Sequence, residues 1–180
     1  MRKSVQFLLL FLMCISASWT WASDAPERTV LFNMGDYDSQ YWRIPALVTA
    51  ADNSLVAVVD KRGSSLGDLP NTISIMSRRS TDNGKNWSEP VVVAQGGNGK
   101  TYGDPAVVLD KKTGNLICMF VGDQGLWNAT PYNRQGIYVS KSTDNGVSWS
   151  EPVAITDQVY ANHSSWYAGF AGSFVGGWQT

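Results

Sequence analysis

The sequence predicts an all-β chain, organised as four-stranded blades of a β-propeller. Three observations predict it. An eight-residue stretch occurs twice, as Ser80-Thr81-Asp82-Asn83-Gly84-Lys85-Asn86-Trp87 and Ser142-Thr143-Asp144-Asn145-Gly146-Val147-Ser148-Trp149, 62 residues apart. Each copy is preceded by short apolar runs and followed by Ser-Glu-Pro-Val. The chain is also rich in glycine (17), tryptophan (8) and tyrosine (7), the composition of strands punctuated by turns. Repetition at this length is the mark of propellers and arrays.

Each repeated box reads as a tight hairpin turn. Asn-Gly supplies two left-handed residues between antiparallel strands. The aspartate accepts hydrogen bonds from backbone N–H groups just ahead of it. The tryptophan folds back as an apolar plug. Pro90 and Pro152 mark where the outgoing strand stops donating to a ladder. The boxes are therefore read as structural.

The first residues form a processing segment. Arg2 and Lys3 are followed by the apolar run Val5–Ile15, short for a bilayer span. Small residues follow to Ala22, and Thr20-Trp21-Ala22 resembles a cleavage site, so residues 1–22 are expected to be a signal peptide. An uncleaved anchor is the alternative. Met13 before Cys14 argues against a lipoprotein signal. The product would be exported, periplasmic or secreted, with no membrane span after cleavage. Only Cys118 would remain, which excludes an internal disulfide and a cysteine metal cluster.

In the mature region, 23–180, a first strand is expected at Thr29–Asn33, then strands at Tyr41–Ala50, Leu55–Val59, Thr72–Arg79 and Val91–Ala94. Leu55–Val59 shows no alternation, as expected of a strand covered on both faces. The pattern restarts at Pro105–Val108, echoing Pro45–Val48, and continues through Leu116–Val121, Gly136–Lys141 and Val153–Thr156. This makes two blades. A third is expected to begin at Ser165–Phe170 and to stop, leaving the aberrant tail Ser173–Thr180. Because propellers usually close with four to eight blades, the chain reads as the front part of a larger protein, an incomplete propeller. A premature stop or frame change near Gly172 would account for the tail.

The near-neutral charge, formally −1, argues against a nucleic-acid partner. Acidic residues form no calcium-loop pattern, and neither a metal nor another cofactor is expected. His163, the sole histidine, reads as a loop residue rather than a catalytic base, because no nucleophile is spaced with it recognisably. Chemistry is sought at residues that do not suit their surroundings. Arg43 lies between Trp42 and Ile44 in a strand expected to be covered, where a guanidinium needs an anionic partner. It reads either as an internal salt bridge or as an arginine aimed into the central channel to hold a carboxylate. Arg62 and Asp68 lie on the Gly-rich loop Lys61–Asn71, where Asp68 reads as a movable proton donor or a solvated loop residue. The insertion Gly122–Arg134 is the longest irregular stretch, the kind of loop that carries function on a rigid scaffold.

Arg43-Ile44-Pro45, the two boxes and Gly103-Asp104-Pro105 together resemble the bacterial-type sialidase (neuraminidase) family, six-bladed propellers with an F/Y-R-I-P motif and repeated Asp boxes. The resemblance implies exo-α-sialidase activity on sialylated glycans (glycoproteins, gangliosides or oligosaccharides). It assigns Arg43 to the clamp on the substrate carboxylate and Asp68 to general acid/base catalysis. Arg62 matches the family's arginine on the same loop. Asp104 would lie near the 4-hydroxyl or N-acetyl side of the sugar, and Trp127 with Tyr132 would line the acetyl pocket. Trp42 stands where the family has Phe or Tyr. The family's nucleophilic tyrosine, its glutamate partner and two further clamp arginines belong to later blades, so no residue here takes those roles, and the chain alone is expected to be inactive. A non-catalytic Asp-box module binding glycans or proteins is the alternative.

Overall fold

The computed structural model describes residues 27–63, 65–163 and 165–169. The signal-peptide segment and the tail Ser173–Thr180 lie outside them. Two antiparallel sheets form, each of four strands in sequential order. The first contains β1 (Trp42–Thr49), β2 (Leu55–Lys61), β3 (Ser74–Ser80) and β4 (Val91–Ala94). The second contains β5 (Tyr102–Asp110), β6 (Asn115–Gly122), β7 (Gly136–Ser142) and β8 (Val153–Ala154). These are two blades of a partial propeller. Strand β5 lies against β1, β2 and β3, so the inner edges of the blades sit side by side.

One core joins the blades. Val56, Val58 and Ile75 of the first meet Val107, Leu116, Cys118 and Phe120 of the second, all essentially buried. Tyr102 packs edge-on against both Phe120 and Tyr138. At about 1.5–3 kcal/mol for each large side chain removed from water, this seam is the main force holding the blades together. Strand β2 is buried along its centre, as its unbroken apolar run predicts.

The boxes keep their predicted residues but not their predicted size. Asn83 and Gly84 have φ of 59° and 85°, and Asn145 and Gly146 have 59° and 86°, all left-handed. They turn within the wider connections 81–90 and 143–152, not within two-residue hairpins. The aspartates widen the loop: Asp82 Oδ1 accepts from Asn86 N at 2.8 Å and Asp144 Oδ1 from Ser148 N at 2.9 Å.

Two other expectations are corrected. Residues 29–33 form no strand; the lead-in docks through side chains instead. Phe32 stacks on Trp42, and Arg78 Nη1 donates to the Leu31 carbonyl at 2.5 Å. The last strand ends at Ala154, and Thr156–Tyr160 form a short helix, α1, that buries Tyr160. Residues 165–169 are irregular. Among the described residues no helix is long and apolar enough to cross a membrane.

Candidate functional site

Both inner strands carry the same irregularity. The pairing of β1 with β2 slips between Arg43 and Ala46, and that of β5 with β6 slips between Gly103 and Ala106. The residue before each proline is left-handed, Ile44 at φ 53° and Asp104 at φ 55°. Such a conformation is costly for a β-branched side chain, of order 1–3 kcal/mol. Bulges re-aim side chains next to active sites. Here they bring Ile44 and Asp104 to the wall of one cavity of about 210 Å³.

Arg43, Arg62, Asp68, Asp104 and Trp127 all line that cavity. Arg62 is its most constrained member. It follows β2 directly, its side chain 1% exposed. Nε and Nη2 donate to Asp60 Oδ2 at 3.2 and 2.9 Å. Nη1 donates to Asp68 Oδ1 at 2.6 Å and to the carbonyls of Leu66 and Gly67 at 3.0 and 3.2 Å. Nη2 lies 4.0 Å from Asp104 Oδ1. Burial works against the charge of Arg62, but Asp68 and Asp60 outweigh it and hold its proton more firmly than usual.

Arg43 differs from expectation. Its side chain is 43% exposed and its Nη1 reaches Asp68 Oδ1 only at 3.5 Å. It stands on β1, an edge strand of its sheet, just before the pairing with β2 slips. The buried guanidinium sought at position 43 is found at position 62. Asp68 is 58% exposed and stands between the two arginines. Burial raises the Asp104 carboxyl above the ordinary carboxylate range, with Arg62 pulling it down and Asp68 adding to the rise.

Trp127, on the loop joining β6 and β7, is 79% exposed and borders the cavity from the second blade. Tyr132 does not line the cavity; it is fully exposed on the same loop, a correction to its expected place in an acetyl pocket. A larger cleft of about 810 Å³ adjoins through Leu126 and Trp127 and continues over Trp166 and Tyr167. Among the described residues no charged side chain lines it, and the charged groups gather at the smaller cavity. The residue that sequence reasoning missed is Asp60, completely buried. A carboxylate closing an otherwise apolar strand, Leu-Val-Ala-Val-Val-Asp, was the available signal.

Residues 44–177 match the BNR repeat-like domain. The chain belongs to the BNR-repeat family. It is 34% identical over 152 residues to a sialidase of Bacteroides fragilis, covering 74% of this chain and 27% of that protein. It is 34% identical over 147 residues to a sialidase of Micromonospora viridifaciens, covering 75% of this chain and 22% of that one. The Hadza microbial sialidase Hz136 superposes with a TM-score of 0.62 at 32% identity, over 69% of this chain and 28% of its own. The chain therefore spans about a quarter of the length of these relatives. The two blades of this BNR-repeat chain correspond to part of a sialidase propeller.

Proposed function

We propose that this chain supplies part of the active site of an exo-α-sialidase, which releases terminal sialic acid from glycoproteins, gangliosides or oligosaccharides. One observation carries the reading: two arginines and two aspartates from two blades converge on a single cavity in a chain whose relatives are sialidases.

Arg43 is the group suited to a substrate carboxylate. It is exposed, and its contact with Asp68 is long, so an incoming anion takes it without breaking a tight pair. Arg62 has its donors committed and a side chain almost without exposure. Its part is to fix the loop that carries Asp68 and to lie beside Asp104. Asp68 donates a proton to the glycosidic oxygen as that bond breaks, then recovers one from the water that completes hydrolysis. Asp104 faces a sugar hydroxyl, and Trp127 offers an apolar face to the acetyl group.

Among the described residues no tyrosine lines this cavity. A sialidase uses a tyrosine nucleophile, an exception among glycosidases; a phenol avoids the repulsion a carboxylate would meet from the substrate's own charge. That tyrosine and its glutamate come from blades beyond these two. The 180 residues by themselves therefore have little or no sialidase activity.

The N-terminal segment supports export to the periplasm or outside the cell, with residues 1–22 removed. Mass determination of the exported protein checks this: the reading requires a mature start near Ser23.

A fluorogenic sialoside assay tests the function. The isolated chain is expected to be inactive, and a form joined to further blades active. Cleavage by the chain alone refutes the account of the missing nucleophile. Binding of sialosides without cleavage in both forms refutes the enzyme and leaves a glycan-binding module.

A further inference from the structure

We propose that Asp60 is the positioning residue of this cavity, setting Arg62 of the first blade and Asp104 of the second through the two oxygens of one carboxylate. Its Oδ2 accepts from Nε and Nη2 of Arg62 at 3.2 and 2.9 Å. Its Oδ1 accepts from the backbone N–H of Asp104 at 3.0 Å, across the seam between the blades. Asp60 is also the cross-strand partner of Arg43. Two of the charged residues that line the cavity are thus held by one wholly buried side chain, and a third sits opposite its backbone.

Stability alone does not call for a carboxylate here. A buried ion pair is often no better than apolar residues of the same volume. Around Asp60 the setting is apolar, with Val58 and Ile75 of the core nearby in the strand register. What the carboxylate does, and an apolar residue would not, is direct the guanidinium plane and pin a strained residue. Asp104 is left-handed ahead of a proline, a backbone state that persists only when its surroundings over-determine it. The hydrogen bond from its N–H to Asp60 is one such restraint. Arg62, oriented by Asp60 on one side, has Nη1 left to hold the Leu66 and Gly67 carbonyls and the Asp68 carboxylate. The position of Asp68 therefore follows from that of Asp60 through Arg62.

The inference rests on the cavity being a sialic acid site, and its test separates the two. In the full chain labelled with ¹⁵N, hydrogen exchange is measured at the Arg62 and Arg43 Nε–H groups and at the Asp104 amide. Affinity for sialic acid is measured by titration of the same sequence joined to the further blades, with and without Asp60→Asn. The Arg62 Nε–H and the Asp104 amide are expected to exchange at least tenfold more slowly than the Arg43 Nε–H. Asp60→Asn keeps the shape and an acceptor for Asp104, but turns an amide N–H₂ toward Arg62. It is expected to accelerate Arg62 Nε–H exchange at least tenfold and to weaken sialic acid binding at least tenfold. Equal exchange at Arg62 and Arg43 in the unaltered chain overturns the proposal, and this comparison decides it even where the variant does not fold. A folded variant with a lower melting temperature but unchanged sialic acid affinity also overturns it, because the role is then structural only. Released Arg62 in a protein that binds no sialic acid in either form upholds Asp60 as organiser of the cavity and refutes the sialic acid reading instead.

Discussion

The outer turns and the inner bulges of the two blades follow opposite rules. The turns repeat almost letter for letter and take the same shape, with matching left-handed Asn-Gly pairs and matching aspartate bonds. The bulges also share a shape, but their residues differ: Ile44 in one blade, Asp104 in the other, each before a proline. The cavity lies at the bulges, and no box residue lines it. Repetition marks what a blade needs to exist. The charged cavity sits where equivalent positions hold different residues.

The two boxes also differ in what they touch. Trp87 Nε1 donates to Gly84 of its own turn at 2.9 Å. Trp149 Nε1 donates to Ser77 Oγ of the first blade at 3.0 Å, and Arg79 Nε reaches the Asn145 carbonyl at 3.0 Å. The second box is therefore a fastening between blades, while the first closes on itself among the described residues. One sequence serves both because the tryptophan N–H can find an acceptor on either side.

The sharpest way to break the distinction between turns and bulges is at Arg43. Arg43→Ala is expected to lower sialoside turnover by a factor of about 10²–10⁴ in the form of the protein that cleaves sialosides, acting through loss of charge stabilisation. Its melting temperature should hardly move, because the side chain is 43% exposed. Steady-state kinetics beside a melting curve checks both halves.

Trp149→Ala comes next and should cost about 3–5 kcal/mol, because it removes a ring packed against the shared core. Trp87→Ala should cost about 1–2 kcal/mol, the range of an ordinary partly exposed site. Denaturant titration of the two variants measures the difference, and equal losses would contradict the fastening role of the second box.

A smaller effect separates the glycines. A Cβ on Gly146 would meet Val56 Cγ2 at 2.7 Å, whereas one on Gly84 meets nothing nearer than Leu55 Cδ1 at 3.7 Å. Both sites are left-handed, which alone costs alanine about 1–2 kcal/mol. Gly146→Ala should add the overpacking penalty of about 1–3 kcal/mol, and Gly84→Ala should not. The same titration reads this out.

The smallest effect is acid sensitivity of the first box. The backbone N–H and side-chain amide of Asn86, with the Ser80 hydroxyl, hold the Asp82 carboxyl down at about 2. An unfolded aspartate titrates near 3.9. A depressed folded value means that the stabilisation is fully present above about pH 4 and is lost as pH falls through about 2. Asp82→Asn should therefore flatten the fall of stability across that window, which an acid titration by circular dichroism would detect.

The strands were legible in the sequence because their signals are local. Leu55–Val59 is an unbroken apolar run and forms the centre of β2, and Val91–Ala94 is found as expected. The bulges were not legible, since a residue before proline is ordinarily extended and nothing near Ile44 or Asp104 announces otherwise. The four charged residues were singled out in the sequence, yet the burial of the two arginines was misjudged. Arg43 looked enclosed by its apolar neighbours and is 43% exposed; Arg62 looked like loop and is sealed by four partners, Asp60, Leu66, Gly67 and Asp68. Asp60 passed unnoticed because one of its two partners, the Asp104 N–H, lies on the other blade, 44 residues away, and its pairing with nearby Arg62 shows only once that side chain is seen to turn back onto β2. Helix α1 was missed because the second box predicted a longer outgoing strand than Val153–Ala154.

The central claim is that the inner cavity does chemistry and the boxes do not. It is tested most directly by comparing Asp68→Ala with Asp82→Ala in the form of the protein that cleaves sialosides, measuring turnover per folded molecule and melting temperature for each. The account predicts that Asp68→Ala abolishes turnover even in the folded fraction, with a lower melting temperature from the lost Arg62 pair, and that Asp82→Ala lowers the melting temperature while the folded fraction turns over normally. Full turnover by Asp68→Ala, or lost turnover by folded Asp82→Ala, would contradict it.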